Sequence, residues 1–342
     1  MSRLKVRSAV PVLQAYNSLY IQARLWMEAL RERMMCDSEI ISSHAAGTGV
    51  PEYLTLYHYG SFDWCAFSLA TQKHTVFVFH NVTEPKHLWG WNPLVAVRSV
   101  AAAIQLFLLR KDLPWLAVSR FNRDVLRKKG FRSVAVVSCI VPEGHREAKT
   151  SRPTLLFVGR ISPSKNVLQL LQWYEEVALG MSQPPRLIIV GSRKARCRYG
   201  RAFERKFLRL SRIYPVIWHR EPLPYADLQR LYSSSWLYVS GSRHEGFAVP
   251  VMESICAGTP AVYVPCGGTE SVLDGVGCVR AEEELPAAIL NYLKNSKLRE
   301  ELLHAQFTFM SGLRSDIVGN SLVTELQNLG FRSTEAPQRV PC

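Results

Sequence analysis

Two carboxylates stand eight positions apart in the most informative stretch of this sequence, which runs from residue 243 to residue 260. Glu253 lies in a helix that Pro250 is expected to start, because proline is well suited to a first helical position. A carboxylate in a first helical turn can accept hydrogen bonds from both hydroxyls of a ribose. The alternative is that Glu253 only complements the helix dipole, which contributes about 0.3–1 kcal/mol.

Glu245, the other carboxylate, follows a predicted strand, and ligands of open α/β sheets bind beyond the carboxyl ends of the strands. It could fix sugar hydroxyls or stabilise an oxocarbenium-like charge. The alternative is a loop acid paired with Arg243. Gly246 predicts a tight turn that exposes the N–H groups of Phe247 and Ala248.

A second candidate stretch joins the predicted strand Thr154–Val158 to the predicted helix Val167–Leu179. The N–H groups and dipole at such a helix start can bind an anion, and Gly159 lies in the connecting loop. Arg160 and Lys165 add two cations, which favours a diphosphate whose leaving oxygen gains negative charge. Ordinary surface cations in a connecting loop remain the alternative.

The first half offers polar residues at the ends of two predicted strands. His80 and Asn81 follow the strand Thr75–Phe79, where they could contact sugar hydroxyls or an acceptor, although a lone histidine is more often a structural hydrogen-bonding group. Ser119 could contact phosphate or acceptor, but we favour its role as the cap of the helix that follows.

These segments must be positioned by alternating strands and helices, which predicts an α/β protein with two doubly wound domains. The polar linker 142–153 separates a first domain, 1–150, from a second, 151–312. Residues 313–342 form a C-terminal helix or tail whose packing onto the first domain stays open. Leu94–Leu109 is predicted to be a buried core helix.

Composition narrows the classes of protein. The 342 residues are 47% hydrophobic and contain no run of eighteen uncharged apolar residues, so we expect no membrane-spanning helix. No apolar block follows the basic residues of the first ten positions, so we expect no secretory signal. The eight cysteines are scattered without ligand spacing, so we expect a reducing, cytoplasmic location.

The net charge of +14 is concentrated, with nine Lys or Arg and one acid in residues 193–212. Such clusters attract anionic surfaces, and we expect an anionic membrane face as a partner. A solvated basic face is the alternative. Nucleic acid is not expected, because no RNA-binding signature or zinc finger accompanies the charge.

The chain resembles the family-4 retaining glycosyltransferases of the GT-B fold, in which two Rossmann-like domains face each other across a cleft. The segments that carry the resemblance are 159–166, 258–260 and the two carboxylates. The segments 79–85 and 89–93 resemble a bacterial subgroup that builds O-antigen and exopolysaccharide, often with mannose from GDP-mannose.

The resemblance implies roles for these residues. Arg160, Lys165 and Gly159 would hold the donor diphosphate, Glu253 the ribose, and Glu245 with residues 246–248 the donor sugar, with His80 where sugar and acceptor meet. It implies a GDP-mannose or UDP-sugar donor, a glycan or lipid-linked acceptor, retention by a front-face mechanism, and no metal or other cofactor.

The sequence also departs from the family. Residues 14–18 follow the first strand without the usual glycine, so Asn17 or Ser18 would have to supply side-chain hydrogen bonds there. The subgroup's two aromatic residues after the proline are replaced by residues 87–89. These departures keep a second hypothesis open, a catalytically weak GT-B protein that acts as a binding subunit in glycan assembly.

Overall fold

The computed structural model describes residues 4–14, 17–46, 53–193 and 197–331. The chain divides into two compact units. The first comprises residues 1–82, 101–140 and 313–342, and the second comprises 83–100 and 141–312. This division differs from the boundary predicted at residue 150, because residues 83–100 and 141–150 pack with the second unit.

Within its described residues, the first unit contains a six-stranded parallel sheet in the order β2-β1-β3-β4-β5-β6. The strands are β1 Lys5–Val10, β2 Asp37–Ser42, β3 Tyr53–Tyr59, β4 Thr75–Phe79, β5 Trp115–Ala117 and β6 Val134–Val136. The helices that connect them along the chain are α1 Ser18–Met34, α2 Ser43–Ala46, α3 Cys65–Leu69, α4 Pro93–Leu108 and α5 Arg120–Lys128. The helix α4 crosses the division, because its residues 93–100 belong to the second unit and its residues 101–108 to the first.

The second unit contains a five-stranded parallel sheet in the order β11-β10-β7-β8-β9, counted over its described residues. The strands are β7 Thr154–Val158, β8 Arg186–Val190, β9 Val216–His219, β10 Leu237–Ser240 and β11 Ala261–Tyr263. Its helices are α6 Val167–Leu179, α7 Arg198–Leu210, α8 Tyr225–Ser234, α9 Val249–Cys256, α10 Gly268–Leu273, α11 Leu285–Lys294 and α12 Ser296–Phe307. The last helix, α13 Ser315–Asn328, returns to the first unit and packs against α1.

The order of strands in the second sheet creates a switch point. From β7 the chain moves outward to β8 and β9, then returns to place β10 on the other side of β7. The loops that follow β7 and β10 therefore leave neighbouring strands in opposite directions and open a crevice between them. This crevice is where the two predicted functional segments must meet.

The helix α4 corrects one expectation. Its apolar residues surround the whole helix, so only one face can be packed, and Ala96, Ala102 and Leu106 lie there. The large side chains on the other face are exposed, and these are Leu94, Val97, Ile104, Phe107 and Leu108. The prediction of a buried core helix is wrong. Among the described residues, no helix is both long enough and apolar enough to cross a membrane.

Candidate active site

An ion pair joins the two predicted functional segments at the switch point of the second sheet. The ammonium of Lys165, after β7, contacts Oε1 of Glu245, after β10. The two side chains are only 20% and 11% exposed. The backbone N–H of Arg243 donates to the carbonyl of Ser164 over 3.0 Å, which ties the two loops together. The expected diphosphate cation and the expected sugar carboxylate therefore lie side by side.

The partner of Arg243 is a different carboxylate. Its guanidinium binds Glu282 through both oxygens, with the shortest contacts at 2.8 and 3.0 Å. The alternative in which Glu245 is a loop acid paired with Arg243 is therefore wrong. Arg160 is exposed and makes no ion pair within the described part of the chain. Its charge is available to a phosphate.

The backbone of Glu245 is held by the loop after β11. Its N–H donates to the carbonyl of Cys266 over 3.0 Å, and its own carbonyl accepts from the N–H of Gly268 over 2.9 Å. A Cβ on Gly268 would stand 2.4 Å from that same carbonyl oxygen, a distance at which backbone must move. The close approach of two loops explains this glycine, and the same approach fixes the position of the Glu245 backbone.

The turn before α9 does not form at the glycine that predicted it. Gly246 is not among the described glycines with positive φ, whereas Ala248 has φ +64° and ψ +60°. A left-handed alanine is strained by about 1–2 kcal/mol. Phe247 and Ala248 are buried, and no acceptor in the described residues pairs with their N–H groups. Buried N–H groups are normally bonded, so these two are suited to a ligand oxygen.

Glu253 lies deeper in its helix than the sequence suggested. Because α9 begins at Val249, Glu253 is in the second turn, and the first turn contains no acid. The dipole effect fades beyond the first turn, so this explanation of Glu253 loses its basis. The hydroxyl of buried Tyr232 donates to its Oε2 over 2.9 Å. Burial raises the pKa of Glu253, and the Tyr232 hydrogen bond opposes that rise.

The end of α9 is fixed by residues outside it. Gly258 has φ +82° and ends the helix, and the hydroxyl of Thr259 contacts the carbonyls of Tyr232 and Ser235. The ammonium of Lys149 donates to the Gly258 carbonyl over 2.8 Å and to the Thr259 hydroxyl over 2.6 Å. Sequence reasoning missed Lys149, which lies in the predicted linker and carries no motif.

The start of α6 is less open to an anion than predicted. A 3-10 turn, Pro163–Lys165, separates the loop from the helix, and Asn166 caps it in a left-handed conformation. The Leu168 N–H donates to the hydroxyl of Tyr199 over 2.8 Å. One donor of the first turn is thus already bonded, which leaves fewer free N–H groups at this helix start than the sequence suggested.

In the first unit, His80 is part of a chain of hydrogen bonds. Its Nε2 lies 2.8 Å from Nδ1 of His58, and Nε2 of His58 lies 3.0 Å from the hydroxyl of Ser8. Burial lowers the pKa of His80 to about 4, so the ring is neutral near pH 7. Sequence reasoning missed His58, although a histidine inside an apolar strand was a usable signal.

The remaining candidates of the first unit are largely used locally. The side-chain oxygen of Asn17 accepts from the Leu19 N–H over 2.9 Å and caps α1. Ser119 caps α5 by accepting from the N–H of Asn122 over 3.2 Å. Asn81 has φ +86°, and its side chain accepts from the N–H of the next residue. These polar groups stabilise turns and helix starts.

Comparison with known proteins identifies the second unit's relatives. Residues 144–305 match the family described as "Glycosyl transferases group 1". The chain is also 38% identical over 82 residues to "Putative glycosyltransferase 48" of the Sulfolobus islandicus filamentous virus (isolate Iceland/Hveragerdi). That match spans 22% of this chain and 26% of the relative.

Solved structures with the same fold cover most of the chain. Sucrose-phosphate synthase from Thermosynechococcus elongatus aligns with a TM-score of 0.71 at 14% identity, over 95% of this chain and 99% of its own. The trehalose-phosphate synthase from Burkholderia vietnamiensis aligns with a TM-score of 0.71 at 12% identity, over 96% of this chain and 97% of its own. TarM from S. aureus aligns with a TM-score of 0.61 at 15% identity, and the alignment covers 82% of this chain and 55% of TarM. The fold is GT-B, and the family match supports a glycosyltransferase.

Proposed function

We propose that this GT-B chain, with its glycosyltransferase group 1 match over residues 144–305, is a retaining glycosyltransferase. It transfers a hexose from a nucleoside-diphosphate sugar to a lipid-linked or polysaccharide acceptor. The observation that carries the proposal is the Lys165–Glu245 pair at the switch point of the second sheet. The partly buried Lys165 cation suits a diphosphate, and the neighbouring Glu245 carboxylate suits the hydroxyls of a sugar.

The leaving diphosphate would be bound by charge. Negative charge grows on the bridging oxygen as the glycosidic bond breaks, and Lys165 and the exposed Arg160 supply positive charge to it. The N–H groups of Phe247 and Ala248 would donate to donor oxygens, which satisfies two buried donors. Glu245, released from Lys165, would accept from hydroxyls of the donor sugar.

The ribose would bind at Glu253. Tyr232 already donates to one oxygen of this carboxylate, and the remaining acceptor capacity suits two vicinal hydroxyls. Each donated bond stabilises the ionised form, which burial alone disfavours. Ribose binding would therefore complete the set of donors that a buried carboxylate requires.

His80 is proposed to act where sugar and acceptor meet. Because its pKa is lowered to about 4, it would act as a neutral ring that accepts or donates one hydrogen bond. Its contact with His58 fixes the orientation of the ring and links its tautomer to the Ser8 hydroxyl. A neutral, oriented ring suits recognition of hydroxyl groups.

The donor is proposed to be GDP-mannose, on the resemblance of residues 79–93 to the mannose-transferring subgroup. A UDP-sugar is the other candidate. TarM was solved with UDP, and the Burkholderia vietnamiensis synthase is described as UDP-forming. A thermal-shift comparison of GDP-mannose with UDP-glucose and UDP-N-acetylglucosamine separates them, since a ligand at a hundred times its Kd stabilises by about 2.7 kcal/mol.

The decisive experiment is turnover of the donor by the purified chain. We expect sugar release or transfer that the Glu245→Gln variant abolishes, while Glu300→Gln, an exposed acid on α12, retains it. The anomeric configuration of the product, read by NMR, tests retention. Donor binding without any turnover would instead identify a binding subunit, and absence of both would refute the proposal.

Membrane association is proposed from α4. This helix exposes five large apolar side chains, and Arg98 lies on the same exposed side. Apolar contact with basic residues alongside suits an anionic, cytoplasmic membrane face. Sedimentation with anionic vesicles should fall when Phe107 and Leu108 are changed to serine. Equal binding to neutral vesicles would contradict the electrostatic part of the account.

A further inference from the structure

Three side chains of the second unit converge where sequence reasoning expected no metal. One ligand atom from each of Glu84, His87 and His244 lies within 4.8 Å of the others. Nε2 of His87 is 3.9 Å from Oε2 of Glu84, and the rings of His87 and His244 are 5.9 Å apart. All three residues are partly buried. Two imidazoles and one carboxylate are typical ligands of zinc.

Local structure explains why two of these residues face the same way. Residues 85–87 form a 3-10 turn, closed by the His87 N–H donating to the carbonyl of Glu84 over 3.2 Å. Glu84 is the extended residue that caps this turn, with φ −63° and ψ 134°. The turn therefore fixes the backbones of Glu84 and His87 relative to each other, and their side-chain torsions bring the ligand atoms to 3.9 Å.

Packing explains how this turn reaches the third ligand. Downstream of the turn, Trp91 packs edge-on against Tyr199, with ring centroids 5.1 Å apart, and joins the hydrophobic core of the second unit. His244 lies in the loop after β10, and the residues before and after it, Arg243 and Glu245, are both held by backbone hydrogen bonds. The Arg243 N–H is bonded to Ser164, and the Glu245 backbone to the loop at residues 266–268. Both halves of the site are therefore anchored in one unit.

We propose that Glu84, His87 and His244 bind a divalent transition-metal ion, zinc in the first instance. Ligand bonds of about 2.0–2.1 Å put two ligand atoms of a tetrahedral zinc about 3.4 Å apart. The His87 and Glu84 atoms are within about half an ångström of that spacing, so small side-chain rotations bring them onto one ion. Three protein ligands leave the fourth position to water or to an anion.

The groups around the site are compatible with a cation. Lys86 contacts the Glu84 carboxylate, but its side chain is 71% exposed, and an exposed pair contributes at most about 1 kcal/mol. The metal displaces it at little cost. Arg243, the other neighbouring cation, is engaged by Glu282.

The position of this metal gives it a role. His244 is the residue before Glu245, and consecutive Cα atoms are 3.8 Å apart. An ion on His244 would clamp the turn at residues 84–87 to the loop that carries Glu245. It would therefore rigidify that loop in addition to the backbone hydrogen bonds that Glu245 makes with Cys266 and Gly268. The ion acts on the chain whether or not a sugar nucleotide is the substrate.

The test measures the metal directly. The tag-free protein, stripped with a chelator, is titrated with Co²⁺ and then with Zn²⁺, and zinc stoichiometry is measured by equilibrium dialysis. We expect one ion per chain. Bound Co²⁺ should give the visible absorption spectrum of a four- or five-coordinate ion, and this spectrum should disappear when Zn²⁺ is added. Glu84→Gln and His87→Phe should each weaken binding by at least about tenfold, because changing even a residue that only hydrogen-bonds to a metal ligand costs about that much.

The matched control is His304→Phe, an exposed histidine on α12, which should bind zinc like the native chain. Circular dichroism verifies that each variant is folded, and Glu84→Gln keeps the size of the side chain if His87→Phe does not fold. Native binding no tighter than that of Glu84→Gln would overturn the site. That result would leave the proposed transfer activity standing, since no donor is present in the assay.

Discussion

Replacing Glu245 by glutamine removes the charge that faces the Lys165 ammonium while keeping the size of the side chain. The pair is only 20% and 11% exposed, so the cost lies between two limits. Exposed pairs contribute about 0–1 kcal/mol, and breaking a buried pair costs about 3–5 kcal/mol. We expect Glu245→Gln and Lys165→Met each to lower the free energy of unfolding by about 1–3 kcal/mol.

A double-mutant cycle tests whether this loss comes from the pair. Domains of this size lose about 2–4 °C in Tm per kcal/mol, so each single variant should melt roughly 2–12 °C lower. The double variant should lose clearly less than the sum, because neither charge is left alone. Additivity within about 0.3 kcal/mol would refute the reasoning. The affinity for GDP or UDP is a second readout. Because Glu245→Gln frees Lys165 for phosphate, this variant should bind the nucleotide at least as tightly as the native chain.

Three further predictions concern the surroundings of the pair. Donor binding should release protons from Glu253, because ribose hydroxyls that donate to this carboxylate lower a pKa that burial has raised. Donor affinity should therefore rise with pH until the pH reaches the pKa of Glu253 in the donor-free protein. Calorimetry in two buffers of different ionisation enthalpy measures the proton release. Tyr232→Phe removes a donated bond and should move this rise to higher pH. Gly268→Ala should abolish turnover, because its Cβ would meet backbone at 2.4 Å, whereas Gly312→Ala, with open space, should not. Lys149→Met should lower the free energy of unfolding by about 1–3 kcal/mol, because it strands the buried acceptors that end α9, and thermal melting checks it.

The strands were the most predictable part of the fold. The bounds predicted for β4 and β7 agree with the structure, because each is a short apolar run of buried, parallel-sheet type. The strand–helix alternation then predicted two doubly wound domains, and the GT-B fold is confirmed. The division of the chain was less accessible. The packing of residues 83–100 with the second unit depends on Trp91 and its contact with Tyr199, which are 108 positions apart.

The candidate site was predictable in its residues but not in its contacts. Parallel strands put their carboxyl ends at one edge, so a meeting of Lys165 and Glu245 followed once β7 and β10 were neighbours. Strand order is set by long-range packing, and nothing local to either segment announces it. The turn before α9 shows the same limit. Glycine at 246 was the local signal, yet the left-handed residue is Ala248, which follows the buried Phe247.

Histidines were the least predictable residues. His58 and His80 are 22 positions apart and meet because β3 and β4 pair in register, with His58 opposite Val78. His87 and His244 are 157 positions apart and meet only through folded loops. A lone histidine carries no spacing signal that identifies its partner, and for His80 the sequence left a structural hydrogen-bonding role as the alternative. Pairs of this kind appear only when the register of the strands and the packing of the loops are known.

The Lys165–Glu245 pair gives a physical reason why the proposed donor site of the second unit would be stable without a donor. Each charge is partly buried, and either alone would pay a desolvation penalty that its partner now offsets. A nucleoside-diphosphate sugar brings a matched replacement for each partner, negative phosphate for Lys165 and hydroxyl donors for Glu245. A simple phosphate replaces only the first, and it leaves Glu245 without its cation. If the proposed function holds, this exchange would favour ligands that carry both groups, and the pair itself would contribute to selection for a sugar attached to a diphosphate.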